Sequence, residues 1–188
     1  NDLWLGQGDA LREWNEHRHK NDIAIVLNTG AGKTLIGLLI AQSLVNETKG
    51  KVLYACGSIQ LIEQTREKAE SYGLTVTTYF NNQYSNDLFH QGKSVCLTTY
   101  QAIFNGKSVF QKEEIDAVIF DDAHTAESVI KNHFSLEIDR NNNKILYDGL
   151  TELFKEYYQK VGKIASFNEL YEGQNKSVEL LPPSIIRK

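Results

Sequence analysis

A glycine-rich segment, residues 28–34, contains the residue types that bind a phosphate chain. Backbone amides reach phosphate oxygens only where no side chain intervenes, which Gly30 and Gly32 allow. Lys33 supplies a cation for the β- and γ-phosphates, and Thr34 supplies a hydroxyl for Mg²⁺. An apolar run precedes the segment and a helical run follows it, as such a loop requires. The pattern predicts a nucleotide-binding loop; the alternative is a glycine-rich turn that only leads into a helix.

Two adjacent carboxylates, Asp121 and Asp122, follow another apolar run. Because the carboxyl ends of parallel strands share one edge of a sheet, we expect Asp121 and the glycine-rich segment to meet there. Asp121 would then hold Mg²⁺ through water, and Asp122 would orient the water that attacks the phosphate. The alternative is a solvated turn after a strand, and His124 is equally well explained as a residue at the start of a helix.

Short apolar runs alternate with helical patterns before residue 126. The runs typical of buried strands are Ile23–Leu27, Val52–Cys56, Val76–Tyr79, Val95–Thr98 and Ala117–Phe120. Helices are predicted over Lys33–Asn46, over Ile59–Tyr72 between the N-cap Ser58 and Gly73, and over Tyr100–Asn105. This alternation predicts an α/β fold with helices covering a mostly parallel sheet.

From Ala126 onward the pattern is helical and carries no chemical motif. Apolar residues at spacings of three and four predict one amphipathic helix that Gly162 ends: Leu146, Leu150, Leu153, Phe154, Tyr157 and Val161. Leu153 and Tyr157 on this stripe are predicted to be core residues. Ser166 and Glu169 predict a capping box for one further short helix. The chain is therefore divided into a nucleotide-binding domain, 1–125, and a helical insertion or extension, 126–188.

The composition excludes several classes of protein. Of the 188 residues, 41% are hydrophobic and 23% charged, which is typical of a globular domain rather than a disordered chain. The net charge is −4, and no basic stripe of a duplex-coating protein is present. The longest apolar run, Leu35–Val45, is too short to cross a membrane.

Two further features concern the cellular context. Cys56 and Cys96 lie in apolar runs, as buried thiols do, which predicts a reducing, cytoplasmic location. The absence of any Met predicts that the chain is part of a longer product.

The motifs resemble those of the DEAD/DEAH-box helicases of superfamily two. Residues 28–34 match that family's variant of the phosphate loop, which also accounts for the absence of glycine at Leu27, and residues 121–124 resemble its Asp-Glu-x-His box. Residues 53–64 occupy the place of its second conserved block, and residues 95–101 resemble its later block that contacts a single strand. Two departures are Asp122 in place of Glu and the absence of the second lobe's motifs.

The resemblance implies a RecA-like P-loop NTPase lobe that binds ATP and Mg²⁺, with Gln7 as the residue that reads adenine. It implies ATP contacts from Gln7, Asn28, Thr29, Gly30, Ala31, Gly32, Lys33 and Thr34, and Mg²⁺ contacts from Thr34 and Asp121. The catalytic residues that it selects are Lys33, Asp121, Asp122 and His124. Its nucleic-acid contacts are Ser58, Thr98 and Thr99, which a helix cap or a strand would explain equally well.

The resemblance also implies a function, that of an ATP-dependent helicase or translocase acting on single-stranded DNA or RNA. A second RecA-like lobe would be its partner, so the chain alone would hydrolyse ATP poorly. Two alternatives are a double-strand DNA translocase subunit of a restriction system and an ATP-binding switch module that is not a motor. Stimulation of ATPase activity by nucleic acid distinguishes a motor from a switch.

Overall fold

A computed structural model describes residues 4–135 and 137–174. The chain divides into two compact units, Asn1–Ser135 and Leu136–Lys188. The helices of the first unit are α1 (Leu5–His17), α2 (Lys33–Thr48), α3 (Ile59–Ser71), α4 (Tyr100–Ile103) and α5 (Ala123–His133). Its strands are β1 (Lys51–Cys56), β2 (Val76–Phe80), β3 (Gln83–Tyr84), β4 (Val95–Thr99) and β5 (Ile115–Phe120), and a 3₁₀ turn spans Val109–Lys112. The first unit therefore extends ten residues beyond the predicted boundary and includes α5.

The five strands form one sheet in the order β3-β2-β4-β1-β5. Strands β2, β4, β1 and β5 are parallel, and β3 returns antiparallel to β2 as a short hairpin. In the register, Tyr54 of β1 stands beside Leu97 of β4 and Ile119 of β5. The predicted α/β fold with a mostly parallel sheet is confirmed.

Both faces of the sheet are buried. One face packs against α2 and α3 through the side chains of Val52, Tyr54, Cys56, Val95, Leu97, Leu38, Ala41, Val45, Ile62 and Ala69. The opposite face packs through Leu53, Tyr79, Phe89, Cys96 and Phe110. Burial on both faces explains why β1 and β4 are apolar in sequence almost throughout.

The prediction of a strand over Ile23–Leu27 is wrong. Residues 22–28 have no regular secondary structure, and the side chain of Val26 is 92% exposed. Within the described residues β5 pairs with β1 alone, so the backbone groups on its other edge have no strand partner. Residues 23–27 do not pair with that edge. The segment instead lines a cavity with α1, whose Trp14 also contributes to the lining. An apolar run forms a strand only where its backbone pairs with a neighbour.

Helix boundaries differ from the predictions by one to two residues at several ends. Helix α2 continues to Thr48, and α4 ends at Ile103. Helix α3 begins, as predicted, after Ser58, whose hydroxyl accepts a hydrogen bond from the amide of Leu61. Helix α1 lies outside the predicted elements, although Trp14 on its inner face is buried.

The second unit contains α6 (Lys144–Lys160) and α7 (Ile164–Tyr171). The amphipathic helix is present, but Leu153 is 67% exposed and is not a core residue. Tyr157 is half-buried, whereas its neighbour Tyr158 is buried and packs on Phe167 of α7, with ring centroids 5.2 Å apart. The predicted capping box is wrong, because Ser166 lies inside α7 rather than before it.

None of the helices in the described part of the chain is long and apolar enough to cross a membrane.

Candidate functional site

The glycine-rich segment forms a loop at the N-terminus of α2. Gly30 and Gly32 adopt left-handed backbone conformations with φ of 82° and 76°. The position where a Cβ would stand on Gly30 faces open space, as a bound phosphate chain requires. Lys33 is exposed at the first position of this 16-residue helix, where the helix dipole also favours an anion. Asn28 and Thr29 on the same loop are exposed.

Gln7 lies directly against this loop. Its Nε2 donates a hydrogen bond to the carbonyl oxygen of Ala31 (3.0 Å), and its Oε1 accepts one from the amide of Trp4 (3.1 Å). The side chain is buried, and its amide fills the space beside Gly32 where a Cβ would otherwise stand. Both ends of the amide are therefore used within the protein, which a sequence alone does not reveal.

Asp121 lies one residue beyond β5. Its backbone amide donates a hydrogen bond to the carbonyl of Ala55 (3.0 Å), so it follows the strand direction at the carboxyl edge of the sheet. Burial raises the pKa of the Asp121 carboxyl; a hydrogen bond from Tyr54 and the positive charges of Lys68 and Lys33 act in the opposite direction. Asp121 is half-buried at this edge of the sheet.

The residue types of the glycine-rich loop and of Asp121 fit ATP and Mg²⁺. No group of three or more His, Cys, Asp or Glu side chains that could hold a metal occurs among the described residues. Magnesium does not need such a group, because it takes one or two protein ligands and completes its coordination shell with phosphates and water. Thr34 in the first turn of α2 and Asp121 after β5 would be such a minimal set.

Asp122 caps helix α5 in a left-handed conformation with φ of 61°. Its Oδ1 lies 2.8 Å from Nδ1 of His124, and its Oδ2 accepts a hydrogen bond from the hydroxyl of Thr125 (3.0 Å). Asp is one of the few side chains that tolerate this backbone conformation, which gives a local reason for Asp where the family's box has Glu. The structure thus brings Asp122 and His124 together on an exposed surface.

The three residues selected for nucleic-acid contact are placed differently. Ser58 is exposed and Thr99 is half-buried, and their hydroxyls accept hydrogen bonds from the amides of Leu61 and Ala102 (both 3.2 Å). Thr98 is fully buried, and its hydroxyl donates to the carbonyl of Tyr79 (3.0 Å). Thr98 is therefore not available to a nucleic acid, because its position in β4 faces the core.

A cleft of about 350 Å³ lies beside Thr99. Asn81 and Asn82 line it, and both have positive φ, 52° and 60°, in the two-residue turn between β2 and β3. Lys107 and Asn105 line the other side. The sequence signal for this feature is the Asn-Asn pair between Tyr-Phe and Gln-Tyr, which is typical of a tight hairpin.

Comparison with known proteins identifies a family. A model of the family described as "Type III restriction enzyme, res subunit" matches residues 3–159. No curated protein matches the sequence.

The solved structures that are similar in fold include two longer proteins. A nuclease-deletion mutant of the Type ISP restriction-modification enzyme LlaGI, in complex with a DNA substrate mimic, is 25% identical with a TM-score of 0.54. The UvsW helicase from bacteriophage T4 is 22% identical with a TM-score of 0.53. Each match covers 71% of this chain, but only 16% of the LlaGI chain and 49% of the UvsW chain. The similarity of this chain is therefore to one part of each longer protein.

Proposed function

This chain belongs to the family of the type III restriction enzyme res subunit and is the ATP-binding, first RecA-like lobe of a helicase or translocase; from that premise we propose that it hydrolyses ATP to drive movement along nucleic acid. The observation that carries the proposal is the placement of Lys33 at the first position of α2, directly after the glycine-rich loop, and of Asp121 directly after β5 at the carboxyl edge of the parallel sheet.

The residues of the chain divide the chemistry between them. Backbone amides of Gly30 and Gly32 bind the phosphate chain, and Lys33 neutralises the β- and γ-phosphates. Thr34 and Asp121 would hold Mg²⁺, which would withdraw charge from the phosphate oxygens. Asp122 accepts the proton of the attacking water, and its contact with His124 restrains the carboxylate.

Nucleic acid is proposed to cross the same edge of the sheet, beside the ATP site. The exposed hydroxyl of Ser58 and the partly exposed one of Thr99 lie at the carboxyl ends of β1 and β4. With the neighbouring Lys107 and Asn82 they offer a polar surface that suits a phosphate backbone rather than base edges. Single-stranded DNA or RNA is the proposed ligand of this surface.

A second candidate function is a double-strand DNA translocase of a restriction system. The family description and the similarity to LlaGI favour it, because both concern restriction enzymes. A second RecA-like lobe is proposed as the partner in either case. The two buried thiols, Cys56 and Cys96, suit a reducing compartment, and we place the protein in the cytoplasm.

The test is ATP turnover by a protein in which this chain is joined to a second RecA-like lobe. Single-stranded DNA, single-stranded RNA and duplex DNA are added separately, with Lys33→Ala as the inactive control. Lys93→Ala, a change of an exposed lysine just before β4 at the amino end of the sheet, is the matched control. Stimulation by single strands supports the helicase, and stimulation by duplex alone supports the restriction translocase. ATP binding with no stimulated turnover would leave the switch module as the function.

A further inference from the structure

Tyr100 brings a phenol hydroxyl to the carboxyl edge of the sheet. It follows Thr99 directly, at the first position of α4, and its side chain is completely buried. The hydroxyl donates a hydrogen bond to the backbone carbonyl oxygen of Asp121 and lies 3.4 Å from that of Asp122. The ends of β4 and β5 are thereby joined directly, although β1 lies between these strands in the sheet.

The ring of Tyr100 is held by its neighbours. It packs with Ala55 of β1 and Ala126 of α5 in one buried cluster. It also stacks on Phe120, the last residue of β5, with ring centroids 6.0 Å apart and an angle of 21° between the planes. Because a ring packed in this way cannot change its rotamer without displacing its neighbours, the hydroxyl moves only when the backbone of Tyr100 moves.

The carbonyl that accepts this hydrogen bond belongs to the peptide between the two carboxylate residues of the site. Asp122, the second of them, has φ of 61° and ψ of 65°, a region that L-residues populate sparsely. A residue keeps such a conformation only where surrounding contacts determine it, and the bond from Tyr100 is one of these contacts. Rotation of this peptide would turn the side chains of both Asp121 and Asp122, so the bond bears on the direction of both carboxylates.

The residue before Tyr100 belongs to the proposed nucleic-acid surface. The hydroxyl of Thr99 caps α4 by accepting a hydrogen bond from the amide of Ala102 (3.2 Å). Thr99 also lines the cleft of about 350 Å³ together with the exposed Lys107. A phosphate that contacts Thr99 and Lys107 would therefore act on the backbone one residue before the phenol.

We propose that Tyr100 is a positioning residue through which nucleic acid bound at Thr99 orients the carboxylates of Asp121 and Asp122. Nucleic acid that restrains Thr99 also restrains the backbone of Tyr100, and the phenol transmits this restraint to the peptide after Asp121. Bound nucleic acid then favours the carboxylate orientation that hydrolyses ATP. This inference rests on the proposed function, because it requires an ATPase activity that nucleic acid stimulates.

The test is Tyr100→Phe in the two-lobe protein, because this change removes the hydroxyl and keeps the ring. ATP turnover is measured over a series of ATP concentrations, without nucleic acid and with saturating single-stranded DNA, or with duplex DNA if only duplex stimulates the parent. We expect the stimulated kcat to fall about tenfold, while the basal turnover, the KM for ATP and the affinity for DNA each stay within about twofold.

The matched control is Tyr84→Phe, at the opposite edge of the sheet in β3. This change also removes a buried hydroxyl, which has no hydrogen-bond partner among the described residues. All four quantities should stay at the parent's values in this variant. A fall in stimulated kcat that both variants share would therefore overturn the specific role of the Tyr100 hydroxyl.

A second variant covers the case in which Tyr100→Phe loses its cooperative thermal transition. Phe120→Leu, at a residue that is 38% exposed, removes the ring on which the phenol stacks and should lower the stimulated kcat in the same direction. An unchanged stimulated kcat in the folded variants, or an equal fall in basal and stimulated turnover, overturns the role of Tyr100. A parent protein that no nucleic acid stimulates overturns the proposed function instead, so the two failures are distinguishable.

Discussion

Nε2 of Gln7 lies 3.0 Å from the carbonyl oxygen of Ala31, so a side chain from helix α1 holds the phosphate loop directly. The same amide accepts a hydrogen bond from Trp4, and the side chain is buried beside Gly32. The amide keeps one further N–H and one further lone pair, so adenine could be read only through these positions while the bonds to Ala31 and Trp4 remain. In this geometry, Gln7 supports the glycine-rich loop.

The first prediction separates these two roles of Gln7. Gln7→Ala removes the support of Ala31 and should weaken ATP and GTP binding by the same factor, about fivefold to tenfold, because a loop that binds phosphates is common to both nucleotides. Equilibrium binding of both nucleotides measures it, with Gln91→Ala at an exposed position as control. A loss confined to ATP would instead support adenine recognition by Gln7.

The second prediction concerns Asp122. Asp122→Asn should retain ATP binding and lower turnover about 10²-fold to 10⁴-fold, because the amide cannot accept a proton from water. The backbone is preserved, since Asn also tolerates the φ of 61° at this position. Single-turnover hydrolysis by the two-lobe protein measures it, and the exposed Asp87→Asn is the matched control. Turnover as fast as the parent's would place the base elsewhere.

Much of this geometry could be predicted from the sequence, and the exceptions have physical causes. Burial on both faces leaves an unbroken apolar run, so β1 and β4 were predictable. Residues 117–120 of β5 are apolar as well, although none of them is fully buried. Ile23–Leu27 has the same pattern but does not pair, because the sequence does not encode whether a neighbouring edge accepts it. The hydrogen bond from Gln7 to Ala31 joins residues far apart in sequence, which local patterns cannot show.

The third prediction follows from the exposure of Leu153. Leu153→Ala should change the free energy of unfolding by less than about 0.5 kcal/mol, whereas Phe167→Ala, at a buried ring that packs on Tyr158, should cost about 3–5 kcal/mol. Urea unfolding followed by circular dichroism compares the two variants with the parent. A large loss for Leu153→Ala would mean that this side chain is covered in solution.

The fourth prediction concerns the thiols. Burial raises the pKa of Cys56 to about 12, and it also raises the pKa of Cys96. At pH 8 only about 10⁻⁴ of the Cys56 side chains would be thiolate, so alkylation in the folded protein should be very slow. Both thiols should react at once in denaturant. Rapid labelling of either one in native buffer would contradict its place in the core.

The last prediction concerns hydrolysis by the chain alone. Phosphoryl transfer in such motors gains about 10³-fold to 10⁵-fold from an arginine at the transferring phosphate. Each arginine in the described part of the chain is engaged elsewhere: Arg12 with Asp9, Arg18 with Glu47, Arg66 with Glu63 and Glu70, and Arg140 with the carbonyl of Tyr171.

The 188-residue chain by itself should therefore bind ATP and turn it over well below about 1 s⁻¹, with no increase on addition of single-stranded DNA or RNA. Phosphate release under multiple-turnover conditions measures the turnover rate, and Lys33→Ala gives the background rate. Addition of a second RecA-like lobe should raise the rate, because that lobe would supply the missing arginine. Stimulated turnover by the chain alone at 1 s⁻¹ or faster would require a catalytic arginine among these 188 residues.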